Sequence, residues 1–409
     1  MFSMLKLALR NLLRHRRKNA ISIVTIAFGL SALVVFGGFV SSMYQGMRES
    51  LIRSQLGHLQ ITKTGYDKAA SDQTENLLIS QDEQEKLSSI IESLPEVEIV
   101  TARLNFSALM SNGERSTSVV GFGMDSDKEA IMNSALYLKE GEDLFPEDQN
   151  SALLGEALAK SMGVEPGDYV TLLSSTTLGA INAVDVKVSG LVTSGLKDVD
   201  RYLIRANLPH IQTLMDTTSV SRLVVLLTRT DQTMAVKNRL NVLFKQAGLT
   251  VQIKTWSDLA DSYHKVRGLF DAIFMFIKVI VLLIILIGIS NIMMMNVLER
   301  TQEIGTLRAM GTTRSQVMRQ FLTEGALIGL LGSLIGLACG AGIAHIVTEM
   351  HLPMPTPPGS TVQYPIRVFV VPWQYLEAFL YGFFITALSA LLPAIRAARL
   401  KVVDALRSV

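Results

Sequence analysis

Four long apolar runs constrain this chain more than any other feature. Residues 20–43, 270–297, 321–347 and 375–393 are aliphatic and nearly free of charge. Each is long enough to cross a hydrocarbon core of about 30 Å at about 1.5 Å per helical residue. Backbone polar groups in that solvent must be satisfied inside the segment, so each run is expected to be a helix. Arg14, Arg16, Arg17 and Lys18 stand just before the first run. Arg396, Arg399, Lys401 and Arg407 follow the last, in the tail 394–409. Positive flanks of this kind place both ends in the cytoplasm.

The connections follow from the same rule. Segment 299–320 carries Arg300, Arg308, Arg314 and Arg319 and is expected inside. Segment 348–372 holds one basic residue, Arg367, and is expected outside, stiffened by its prolines and anchored at the interface by Trp373 and Tyr375. Residues 1–19 alternate Phe2, Leu5, Leu9, Leu12 and Leu13 with Lys6, Arg10, Arg14 and Arg17. That pattern predicts an amphipathic helix lying on the cytoplasmic membrane surface, basic side toward anionic headgroups.

Residues 44–265 have mixed charge and no run long enough to span. Gly57–Lys63, Ile99–Leu109, Ser116–Met124, Tyr169–Ser174, Val184–Thr193, Leu223–Thr228 and Leu249–Thr255 read as strands. Gln81–Ser93, Gly155–Met162, Leu208–Asp216 and Thr233–Ala247 read as amphipathic helices. The expected fold class is therefore a membrane protein of four transmembrane α-helices, with a large α+β extracytoplasmic domain inserted between the first and second spans. Helical connections on both sides predict a stalk beneath that domain.

Individual residues in the spans raise narrower expectations. Lys278 lies where the second span has already reached its required length, so it is placed at the outer interface, its ammonium snorkelling outward. Gly332, Gly336 and Gly340 recur every four residues in the third span and predict a close helix packing face, within the chain or against a second copy. Cys339, the single cysteine, excludes an intramolecular disulfide and is expected to be a buried thiol. Pro393 is expected to stop the fourth span.

Chemistry of the familiar kinds is missing. There is no Gly-Lys pair, hence no phosphate loop, and no H-E-x-x-H motif or Cys/His cluster. His58, His210, His264, His345 and His351 are scattered, and no nucleophile elbow is present. A formal charge of +2 gives no basis for nucleic-acid binding. The chain is expected not to be an enzyme, to need no cofactor and to hold no metal. A membrane pump that lacks its own energy source needs a partner, and on such a reading the charged segment 299–320 is the expected socket. Glu303, Leu307 and Met310 share a helical face there, with Ile304 and Arg308 beside them; Gly311 supplies a stop and Thr312 or Thr313 the next cap.

The stretch NIMMMNVLERTQEIGTLRAMGTTRSQVMRQFLTEGALIGLLGSLIG, from Asn291 to Gly336, resembles the FtsX-like permease domain of the MacB, LolC/LolE and FtsX group of ABC transporters. GEALAKSMGVEPGDYVTLLS and SGLVTSGLKDVDRYLIRANLPHIQTLM, in the inserted domain, resemble the same group. The resemblance implies a bacterial inner-membrane permease with its large domain in the periplasm. It makes Glu299, Arg300, Glu303, Ile304, Gly305, Leu307, Arg308, Ala309, Met310 and Gly311 a coupling helix for a separate ATPase subunit, which binds the ATP. Glu303 and Arg308 would then contact that subunit, with Ile304 and Leu307 filling its groove. The implied assembly is a homodimer with two ATPases, or a heterodimer with a related permease. Lipoprotein release, with a periplasmic carrier, is the favoured activity. MacB-like efflux of drugs or peptides and FtsX-like signalling to cell-wall hydrolases are the alternatives.

Overall fold

The computed structural model describes residues 10, 14, 16–68, 77–132, 137–148, 150–194, 197–353, 366–400, 402 and 405. Helix α1 runs over Arg16–Leu51 and ends in a π-helical turn, Ile52–Leu56. There follow β1 (Leu59–Lys63), α2 (Gln81–Glu92), β2 (Val97–Ser111), β3 (Ser116–Met124), α3 (Ser126–Met132) and β4 (Tyr137–Gly141). Then come β5 (Ser151–Gly155), α4 (Glu156–Met162), β6 (Tyr169–Ser175), β7 (Ile181–Thr193), α5 (Lys197–Asp200) and β8 (Leu203–Asn207). The insert closes with α6 (Leu208–Met215), β9 (Arg222–Leu227), α7 (Thr233–Gln246), β10 (Val251–Thr255) and α8 (Trp256–Leu259). The chain continues through α9 (Asp261–Glu299), α10 (Thr301–Ala309), α11 (Arg314–Glu349), α12 (Pro372–Ser389) and α13 (Leu391–Arg399). Two compact units result, one of residues 46–264 and one formed by the residues on either side of it.

The inserted unit has two layers of logic. Strands β10, β1, β9 and β2 lie side by side in that order, every pair antiparallel. With α2 between β1 and β2 and α7 between β9 and β10, this is a split βαβ arrangement. Apolar residues of both helices, Leu87, Ile91, Val236, Leu240 and Phe244, pack with Ile61, Val100, Val225 and Ile253 of the strands. Strand β2 is long enough to leave this sheet and enter another. Its far half pairs β3, which pairs β8, then β5, β7, β6 and β2 again, closing a ring of six strands. Leu104, Phe106, Met110, Leu154, Leu172, Val186 and Ile204 pack in the associated core with α4 and α6.

Strands β4, β5 and β8 have no counterpart among the expected elements. Both β5 and β8 are buried on both faces and β4 is exposed on both, so none shows the alternation that marks a half-buried strand.

Among the described residues, four helical stretches have the length and composition to cross a membrane: 16–56, 261–299, 314–349 and 372–399. All four extend beyond the apolar runs they contain. Gly332, Gly336 and Gly340 lie on the face of α11 toward α1. A Cβ added to them would come within 2.8 Å of Ile26 Cβ, 2.9 Å of the Ala27 backbone and 2.3 Å of Val34 Cγ2, respectively. Ser31 seals the same seam by donating to the Gly336 carbonyl at 2.7 Å. Near the outer end, the Tyr44 hydroxyl donates to Asp271 Oδ1 at 2.8 Å, tying α1 to α9.

Two expectations are corrected here. Cys339 is exposed, because it lies on the side of α11 away from the packed helices. Pro393 does not end the last helical stretch. The break comes at Ala390, and Pro393 occupies the first turn of α13, where a missing N–H leaves no hydrogen bond unmade. Lys278, expected to snorkel outward, has neighbours within the chain. Its ammonium is 4.0 Å from Glu377 Oε2 and 5.2 Å from the ring centres of both Phe274 and Tyr381. The amphipathic segment is described only at Arg10, Arg14 and Arg16 onward, and the rest of it, with the proline-rich stretch 354–365, lies outside the described residues.

Candidate partner-docking site

Helix α10 is a nine-residue segment set off from both neighbours. Arg300 departs from helical geometry before it, and Gly311, with φ of 101°, ends it. Thr312 N–H reaches back to the Leu307 carbonyl at 3.1 Å, a C-terminal cap that glycine's left-handed backbone permits. Thr313 then caps α11 in a reciprocal box with Gln316.

One face of α10 is committed to its own chain. Ile304 is 4 % exposed and packs in the cluster of Val297, Val317, Phe321, Ala394 and Ala397. Gly305 is buried against Ala405, whose Cβ would stand 2.8 Å from any Cβ placed there. Arg308 donates from Nη1 to the carbonyls of Ala398 and Leu400, at 3.3 and 2.5 Å, and so ties α10 to the end of α13. Ile304 therefore has no side chain to offer a partner's groove, and Arg308 is occupied internally. Leu307 is half-buried.

The opposite face is open. Gln302, Glu303, Thr306, Ala309, Met310 and Gly311 are exposed, Met310 to 71 %. Charges orient this face. Glu303 receives Arg300 Nε at 3.2 Å and Arg14 at 3.3 Å. Glu299 is paired with Lys18. Arg300 also donates through Nη1 to both oxygens of Glu324, at 3.2 and 3.3 Å, above the ring of Phe321. The acidic side chain in the first turn and Arg308 in the last both complement the helix dipole. Arg14, Lys18 and Glu324 were not among the expected site residues. A signal for Glu324 existed, since it is the one carboxylate within the third apolar run, and intramembrane charge marks function by default.

No group of three or more metal-ligating side chains is assembled among the described residues. The result is an exposed short helix, braced by ion pairs and set between two membrane-length helices.

Four membrane-length helices, with a large α/β domain inserted between the first two, define a multi-pass membrane protein. Residues 20–243 match the MacB-like periplasmic core domain and residues 275–402 the FtsX-like permease C-terminal region, and the chain belongs to that family. It is similar to the ABC transporter permease YknZ of Bacillus subtilis, 23% identical over 98% of each chain. It is also similar to the lipoprotein-releasing system transmembrane protein LolC of Neisseria meningitidis, 25% identical over 80% of this chain and 79% of that one. With the macrolide export ATP-binding/permease protein MacB of Hyphomonas neptunium it shares 34% identity over 38% of this chain and 22% of that protein, so it spans only about a fifth of the latter.

Proposed function

We propose that the chain is the transmembrane subunit through which a separate ATPase drives the extracytoplasmic domain, in a bacterial inner membrane. The observation that carries this reading is the exposed face of α10, with Glu303, Thr306 and Met310 available and no phosphate-binding loop in the sequence. On this reading the buried face, Ile304 and Gly305, together with Arg308, passes displacement of α10 into the helices it packs against, while Glu303 and Met310 meet the ATPase. Two copies, or one copy and a related permease, flank a pair of ATPases. ATP-driven closure of that pair brings the membrane helices together, and the helices α1 and α9 carry the movement outward. Glu299, Arg300 and Ala309 complete the docking segment.

The substrate we favour is a lipoprotein, or another cargo taken from the outer leaflet or the periplasm and passed to a carrier. Similarity to LolC over four-fifths of the chain supports this. Similarity to MacB supports a second reading, the efflux of drugs or peptides. Purification of the permease from membranes in mild detergent, followed by mass spectrometry, tests both. Lipid-anchored proteins recovered with an ATPase subunit support the first, and an outer-membrane channel recovered without them supports the second.

A further inference from the structure

The last carbonyl groups of a helix have no partner within it and form the negative end of its dipole. At the end of α1, Ile52 and Ser54 in the π-helical turn are buried, and Arg53, Gln55 and Leu56 beside them are half-buried. Gly57 N–H caps the Ile52 carbonyl and Gln60 Nε2 the Leu56 carbonyl, each at 2.9 Å, and two arginines from different strands serve the carbonyls between them. Arg205 of β8, fully buried, donates from Nη2 to the Ser54 carbonyl at 2.6 Å. Arg103 of β2 donates from Nη1 to the Gln55 carbonyl. Both guanidinium groups also stand on Phe122 of β3, with Cζ 4.5 Å from the ring centre for Arg103 and 5.0 Å for Arg205.

The two differ in what surrounds them. Arg103 is held by Glu129 of α3 in a two-pronged pair, Nε to Oε1 at 2.6 Å and Nη2 to Oε2 at 2.8 Å. Arg205 has no such neighbour in contact: its Nε and Nη1 find no hydrogen-bond partner among the described residues. Burial holds its pKa down to about 10. A buried cation satisfied at one nitrogen costs more in desolvation than a well-packed apolar side chain of similar volume. Stability alone therefore does not account for an arginine at this position, whereas the bond to Ser54 does give it a task. A second tie runs in parallel. Leu227 N–H donates to His58 Nδ1, His58 Nε2 donates to Thr230 Oγ1, and the Thr230 hydroxyl donates to Glu49 in the last turns of α1, each at 3.0 Å.

We propose that Arg205 and Arg103 are positioning residues that lock the end of α1 to β8 and β2, so that movement of α1 reaches the strand ring undiminished instead of being absorbed in the π-helical turn. This rests on the coupling reading given under Proposed function.

The test uses the full permease with the ATPase that copurifies with it, reconstituted in nanodiscs. A fluorophore is placed at Ser118→Cys on the exposed side of β3, in a Cys339→Ser background. The expected result has three parts. Arg205→Met keeps ATP hydrolysis and a thermal midpoint at or above that of the parent, it loses the ATP-dependent fluorescence shift that the parent shows, and Arg205→Lys, which retains one donor for Ser54, recovers part of the shift. An Arg205→Met protein with an undiminished shift overturns the lock while leaving the coupling reading intact. So does an Arg205→Met protein that no longer folds, since the residue is then a stabilising one. A parent protein whose ectodomain label is indifferent to ATP overturns the coupling reading itself.

Discussion

Arg300 and Glu324 face each other across the entrance to α10, with Nη1 at 3.2 and 3.3 Å from the two carboxylate oxygens. Arg300 belongs to the turn that follows α9, and Glu324 to the third turn of α11, so this pair joins the two long helices that flank α10. The side chains are only 11 % and 9 % exposed. Removing Glu324 leaves Arg300 Nη1 without its buried acceptor and with only the exposed Glu303 as a counter-charge, at a cost of about 1–3 kcal/mol. Glu324→Leu is therefore expected to lower the thermal midpoint in detergent sharply, and Arg300→Met/Glu324→Leu to recover most of the loss. A double variant as unstable as the single one would contradict this account.

The glycine seam makes a steric prediction. Gly336 stands 2.9 Å, by its virtual Cβ, from the backbone of Ala27, which cannot yield as a flexible side chain does. Gly336→Leu is expected to destabilise the helix packing by more than the about 1–3 kcal/mol typical of overpacking. Gly342, on the same helix, is exposed and has nothing within 4 Å of its virtual Cβ, so Gly342→Leu is the matched control and is expected to be tolerated. Equal thermal midpoints for the two variants would show the seam to be incidental.

The spans and the short helix α10 between two of them were legible in the sequence for physical reasons that apply locally. Apolar runs report their own burial in lipid, and the Gly311 stop and Thr313 cap follow from backbone conformation alone. What could not be read was the direction each side chain takes once other elements arrive. Ile304 and Met310 are both apolar and six residues apart, yet one is 4 % and the other 71 % exposed, a difference set by α11 and α13. Arg308 reads as a surface cation until the carbonyls of Ala398 and Leu400 are brought to it. Likewise β5 and β8 announce no period because both their faces are covered.

His58 gives the ectodomain a pH dependence. Burial is the main cause of a pKa lowered from 6.5 to about 4, with Glu49 opposing it and Arg53 and Arg48 adding to it. Protonation would also take the Nδ1 acceptor from Leu227 N–H. Between pH 6.5 and 4 the unfolded chain binds the proton and the folded one does not, so stability falls as pH falls through that window, by on the order of 2–3 kcal/mol. His58→Gln is expected to flatten that part of the profile. Midpoints measured from pH 7 to pH 4 that drop equally in both proteins would exclude His58 as the source.

Docking on α10 is the claim on which the functional account depends, and site-specific photocrosslinking in intact cells tests it most directly. A photoreactive amino acid at Met310, on the exposed face, is expected to capture a separate ATP-binding protein, and the same group at Ile304, inside the chain's own core, is expected to capture none. Failure of Met310, Glu303 and Thr306 alike to crosslink any ATP-binding protein would contradict the account.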